Sequence, residues 1–246
     1  MVITQPRAAV NPDFQKRRAL RLRAASDKMD PTTFHGGICN ENPVCQRQPA
    51  RARLHGARVR GDGNGLPRCR IGTETLWIGG QEVRGCIGCG GCRRTGRCVF
   101  GGVVNEFLDK AESADGIVFG SPVHFAGLSG AMTSFLDRAF YAGNTQMKNK
   151  VAACLVSARR AGTTAALDQL LKYPMYANMP IAATRYWPMV HGMRAEDVEQ
   201  DLEGLQIMRQ MARNMVWMLR CIEAGRAAGV PDPEHEESRA VTNFIR

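Results

Sequence analysis

The chain has no long apolar run. The longest clear one, "VAACLV" at 151–156, falls far short of the roughly 20 residues a bilayer-crossing helix needs. No membrane association is expected. The first residues lack the apolar core of a secretory signal, so the cytoplasm is the expected compartment. No G-x-G-x-x-G opens a strand–helix unit, which argues against a resident dinucleotide site. Acidic charge is scarce at the front. Residues 1–70 hold 14 Lys and Arg against 5 Asp and Glu, while residues 71–246 hold 19 against 18.

Residues 1–70 also lack sustained hydrophobic periodicity. They mix "KRRALRLR" with "GDGNGLP", and a short helix over 11–25 is the most structure they suggest. A basic arm of this kind suits nucleic acid or an anionic surface, or it is simply solvated. A third reading, given below, removes much of the case for nucleic acid.

From Ile71 the texture changes. "TETLWI" (73–78) alternates like a strand. "VVNEFLDKAESA" (103–114) places Val103, Val104, Phe107, Leu108 and Ala111 on one helical face. "DGIVFGSPV" (115–123) and "KVAACLVSA" (150–158) read as buried parallel strands. "SGAMTSFLDRAF" (129–140) and "TTAALDQLLKY" (163–173) read as helices, and "MPIAATRYW" (179–187) as a last strand. A long amphipathic helix is expected over 195–225, with its methionines as core filler and Gly225 at its C-cap. The alternation predicts an α/β fold: a doubly wound parallel sheet with helices on both faces. Ligands of such sheets sit outside the carboxyl ends of the strands, which directs attention to 120–128 and 157–163.

In "GSPVHFAG" (120–127), backbone N–H groups can hold a flat heteroaromatic edge or an anion, with His124 and Phe125 flanking a ring. A plain strand-to-helix turn explains the stretch equally well. "SARRAGTT" (157–164) sets Arg159 and Arg160 at the same edge, where a guanidinium would steady a reduced flavin, unless both are merely solvated.

The stretch "GCIGCGGCRRTGRC" (85–98) carries Cys86, Cys89, Cys92 and Cys98, spaced C-x2-C-x2-C-x5-C. In a reducing compartment such clusters point to metal or redox chemistry before disulfides. The spacing resembles four-cysteine iron–sulfur ligation more than the paired Cys-x2-Cys of structural zinc; unligated thiols are the third reading. Arg93, Arg94 and Arg97 would partly offset the thiolate charge. Cys154 and Cys221 fall on apolar faces and read as inert core.

The stretches "RGCIGCGGCRRTGRCV", "ADGIVFGSPVHFAGLSGAMTSFLDRAFY", "VSARRAGTTAALDQLLKY", "MPIAATRYWPMVHG", "DLEGLQIMRQMARNMVWMLRCIEAG" and "TNFIR" together resemble the flavodoxin-like NAD(P)H-dependent FMN reductases, in particular the iron-sulfur flavoproteins. The resemblance runs from about Gly72 to Arg246. It implies a flavodoxin-like fold, bound FMN, NAD(P)H as co-substrate and a homodimer. By position it makes Ser121, Pro122, Val123, His124 and Phe125 line the isoalloxazine, with Ser157, Arg159, Arg160 and Gly162 on its other edge. Cys86, Cys89, Cys92 and Cys98 would ligate a 4Fe-4S cluster. No residue is singled out as catalytic. The partner is a small-molecule electron acceptor or a ferredoxin-type carrier. Two rival readings are a ferredoxin-linked iron-sulfur flavoprotein that reduces oxygen or peroxide, and a non-enzymatic remnant unable to hold FMN.

The family begins with a strand and a phosphate loop of the form N-G-S-P-R, and residues 1–70 do not spell it. Read one base forward, however, "PVCQRQPAR" (43–51) permits Leu-Phe-Val-Asn-Gly-Ser-Pro-Arg with the usual CGN arginine codons. Residues 56–70 in that frame permit an Ala-rich, helix-compatible run that rejoins at "IGTETLWIGG". The expectation is an atypical segment at 1–70, disordered or out of frame, followed by an FMN-binding domain at 71–246 whose first strand and phosphate loop are missing. The Arg excess is what a GC-rich gene gives in the wrong frame.

Overall fold

A computed structural model of the chain describes residues 2–4, 73–233 and 242. The expected helix over 11–25 and the shifted stretch 43–70 lie outside the described residues. Strands are β1 (Val2–Thr4), β2 (Thr73–Thr75), β3 (Gly116–His124), β4 (Gly127–Leu128), β5 (Val151–Ala158) and β6 (Met189–His191). Helices are α1 (Cys92–Thr95), α2 (Val103–Ser113), α3 (Gly130–Met147), α4 (Thr163–Tyr176), α5 (Ala195–Val198) and α6 (Leu202–Ala227). None of the described helices is long and apolar enough to cross a membrane.

The sheet order is β2-β1-β3-β5-β6, with β4 paired to β3. β3, β5 and β6 are parallel, as a buried sheet between helix layers requires. β1 corrects the expectation of a wholly parallel sheet with an empty first-strand position. It fills the place between β2 and β3 but runs antiparallel to both. The fold is α/β and flavodoxin-like, with β1 reversed within the sheet and β4 turning back on β3.

Period-two alternation divides the core. Ile117 and Phe119 of β3 join Ala152, Cys154 and Val156 of β5 under α2, α3 and α4. Val118, Val151 and Ala153 face the other way, against Ile207, Met208, Met211 and Met215 of α6. The first layer stacks aromatics edge to face, with Phe107 and Phe135 centroids 5.2 Å apart. Each fully buried side chain of this size contributes about 1.5–3 kcal/mol. At Gly143 a Cβ would meet Leu108 Cδ2 at 2.2 Å, so the glycine is what lets α2 approach α3.

Four expectations need correction. The strand expected at 179–187 is a single bridge, Ala152 to Ile181, and pairing resumes only at Met189. Residues 183–187 leave the sheet, and Tyr186 and Trp187 stand exposed, ring centroids 4.4 Å apart. The helix expected over 195–225 is broken. The Asp201 carboxylate accepts from Gly204 N at 2.9 Å and from His191 N at 2.7 Å, so it starts α6 afresh and ties it to β6. The helix runs through Gly225, and Gly229, at φ 85°, makes the left-handed exit beyond it. Cys221 is exposed, not core; Cys154 is buried as expected.

Candidate functional site

The parallel pairing of β3 and β5 places Pro122 beside Ser157, which brings the two loops of interest to one edge. Gly162, at φ 87°, caps α4 and packs directly on the hairpin between β3 and β4. A Cβ there would lie 2.8 Å from Ala126 Cα and 3.2 Å from Val123 Cγ1. Only glycine fits both the backbone angle and the space.

The hairpin is unusual. Val123 pairs with Leu128 and His124 with Gly127, leaving Phe125 and Ala126 as the two-residue turn. Both have left-handed backbone, φ 51° and 59°. Such turns ordinarily use Asn-Gly; a non-glycine residue there costs about 1–2 kcal/mol. Strain of this kind gathers at ligand sites. Here it holds the Phe125 ring fully out of the protein, 107% exposed. Nothing in "VHFAG" spells a turn, so sequence reasoning missed the hairpin.

The expected lining residues divide by burial. His124, Phe125, Arg159 and Arg160 are exposed at the shared edge, with Pro122, Val123 and Gly162 half-buried beneath them. Ser121 and Ser157 are buried. The Ser121 hydroxyl accepts from Ser129 N at 3.1 Å and donates to Pro122 O at 2.8 Å, so it shapes the turn from below. Gln169 of α4 steadies β4, its Oε1 accepting from Leu128 N at 3.1 Å. The edge suits a flat ring: open backbone, an apolar side chain held out, and two guanidinium groups. Residues to hold a ring's phosphate tail are not among those described here. Because Thr4 pairs with Gly116, β1 ends at the amino end of β3, away from the two turns.

The cysteine loop lies against α2 and α3. Gly88, Gly90 and Gly96 take left-handed backbone, φ 65°, 68° and 64°, and wind it tightly. Cys86 and Cys89 are exposed; Cys92 and Cys98 are half-buried. Among the described residues no three Cys, His, Asp or Glu side chains are gathered as around a metal. The four thiols expected as ligands are therefore brought to one loop but not to one point.

Cys98 is the best held. Asn105 of α2 clamps its backbone, with Oδ1 accepting from Cys98 N at 2.9 Å and Nδ2 donating to Cys98 O at 3.0 Å. Arg138 of α3 donates from Nε to Cys98 Sγ at 3.1 Å. Sequence reasoning assigned the balancing charge to Arg93, Arg94 and Arg97. Arg97 instead forms a two-pronged pair with Asp109, and its hydrogen bonds hold that carboxyl below its ordinary range. The signal for Arg138 was a charge on the apolar face of "SFLDRAF". The donor set, four thiols with a buried cation on one sulfur, suits a thiolate-ligated centre. Beside it a cavity of about 340 Å³ is lined by Glu82, Arg84, Phe100, Gly101, Gly102, Val103 and Arg138.

A doubly wound sheet with two touching loops at the carboxyl edge of its parallel strands is the arrangement of the flavodoxin-like class. Residues 74–193, just under half of the chain, match the family described as NADPH-dependent FMN reductase, and the chain is similar to iron-sulfur flavoproteins. It is a flavin oxidoreductase. It is 28% identical to an iron-sulfur flavoprotein of Methanocaldococcus jannaschii over 169 residues, which is 65% of this chain and 87% of the relative. It is 26% identical to an iron-sulfur flavoprotein of Methanosarcina thermophila over 158 residues, 63% of this chain and 82% of the relative. Among solved structures, the WrbA-like flavodoxin of Agrobacterium tumefaciens matches at TM-score 0.35 and 18% identity, covering 44% of this chain and 73% of that one.

Proposed function

We propose that the chain is an FMN-dependent oxidoreductase of the NAD(P)H-dependent flavin or quinone reductase type. It acts in the cytoplasm as a homodimer and passes electrons to a small-molecule acceptor or a carrier of the ferredoxin type. The observation that supports this most is the direct packing of Gly162 on Ala126 and Val123, which makes one crevice edge of two loops.

Bound against these turns, FMN would supply two-electron chemistry at its ring nitrogen N5. Pro122, Val123 and Gly162 form the floor. His124 and Phe125 flank the ring from the hairpin, Ser121 and Ser157 hold the two loops in register, and Arg159 and Arg160 offer positive charge to its anionic edge. Cys86, Cys89, Cys92 and Cys98 would hold a 4Fe-4S cluster that relays single electrons. The flavin domain spans 71–246 and is joined by β1 from the front of the chain. The remaining residues up to about 70 are an atypical segment read out of frame; an intact gene frame with no N-G-S-P-R in any frame would refute that part.

Visible absorption of protein purified without air tests the reading. Flavin bands that bleach on rapid mixing with NADPH, over a broad brown shoulder, are expected. A colourless protein that stays colourless with added FMN would overturn it.

A further inference from the structure

We propose that Arg138 is the positioning residue of the cysteine loop, anchoring Cys98 and raising the reduction potential of the centre that the loop holds. This deepens, and rests on, the cluster reading of residues 86–98.

Arg138 lies mid-helix in α3 between Phe135, Leu136, Ala139 and Phe140, all buried. It is itself only 4% exposed. A charge in such surroundings is costly unless an opposite charge and hydrogen bonds compensate it. Among the described residues no carboxylate pairs with it. Its donors go instead to the two ends of the cysteine loop. Besides Nε to Cys98 Sγ, one terminal nitrogen donates to Arg84 O at 3.4 Å and the other to Gly101 O at 2.9 Å. The ring of Phe100 lies 5.6 Å from its guanidinium carbon, and the Arg84 guanidinium approaches the same ring. One side chain thus fastens the entry of the loop at 84, its last cysteine, and its exit at 101.

A neutral thiol is a poor partner for a buried guanidinium; a metal-bound thiolate is a good one. The same N–H···S bond stabilises the more negative, one-electron-reduced centre over the oxidised one. Arg138 therefore shifts the potential upward, and its planar fork does so while holding two carbonyls, which Lys does not reproduce.

The full chain, as wild type, Arg138→Gln and Arg138→Lys, is reconstituted anaerobically with ferrous iron and sulfide. Iron per chain is measured, and the centre is titrated with dithionite through redox mediators under EPR. Arg138→Gln is expected to keep its iron and to have a more negative midpoint. At the wild-type midpoint its reduced-to-oxidised ratio falls about tenfold, the weight of one charge-assisted hydrogen bond. Arg138→Lys falls in the same direction by less. If Arg138→Gln does not fold by circular dichroism, Arg138→Lys decides, since it keeps the buried cation. Iron-loaded variants titrating at the wild-type midpoint overturn the role of Arg138 and leave the cluster reading standing. A wild type that takes up no iron overturns both.

Discussion

At the scale of single residues, the site is built from conformations that cost stability. Phe125 and Ala126 occupy positive φ in a two-residue turn, where Asn and Gly are at ease. Replacing them together (Phe125→Asn, Ala126→Gly) should raise stability by about 1–2 kcal/mol. For a domain of this size that is a rise of roughly 2–8 °C in Tm. FMN affinity should fall in the same variant, because the exposed ring is gone; a calorimetric scan beside a flavin titration checks both signs. Cys154 offers a different test. Burial pushes its thiol up to about 12 from 9.0. The folded state keeps that proton after the unfolded state has lost it, so the stability linked to Cys154 is intact below about pH 9 and drains away as pH climbs toward 12. Urea midpoints should therefore drop over that window in wild type and drop less in Cys154→Ala. At pH 8, iodoacetamide should label exposed Cys221 and leave Cys154 untouched.

At the scale of elements, much was legible in the sequence because burial has a period. The face of α2 and, to within a residue, the boundaries of β3 and β5 follow from apolar spacing alone. What was not legible depends on side chains reaching beyond their own element. Asp201 splits one periodic stretch into α5 and α6 by capturing the N–H groups of Gly204 and His191. Asp201→Ala should cost about 1–2 kcal/mol in urea unfolding. An unchanged midpoint would mean that the break has another cause. Residues 183–187 leave the sheet, while on either side of them Pro180 O and Pro188 O accept from Ala152 N and Val156 N of β5. The role of Arg138 was hidden for the same reason: its charge stands out on an apolar helix face, but its partners, at 84, 98 and 101, lie far from it in sequence.

At the scale of the whole molecule, the sheet brings its two candidate loops together at the edge where β3 and β5 end, while β1 points the other way. The alternation of strand and helix located that edge. The reversal of β1 was beyond sequence reasoning, because three residues carry no period. The central claim is that two touching turns on this edge grip a flavin ring, and it can be put to one measurement. FMN fluorescence is titrated with the full chain and with Gly162→Ala, whose added Cβ would drive into Ala126. The account predicts saturable quenching at one flavin per chain, and binding at least about tenfold weaker in Gly162→Ala while its circular dichroism is unchanged. No quenching by the native chain, or equal affinity in the two proteins, would contradict it.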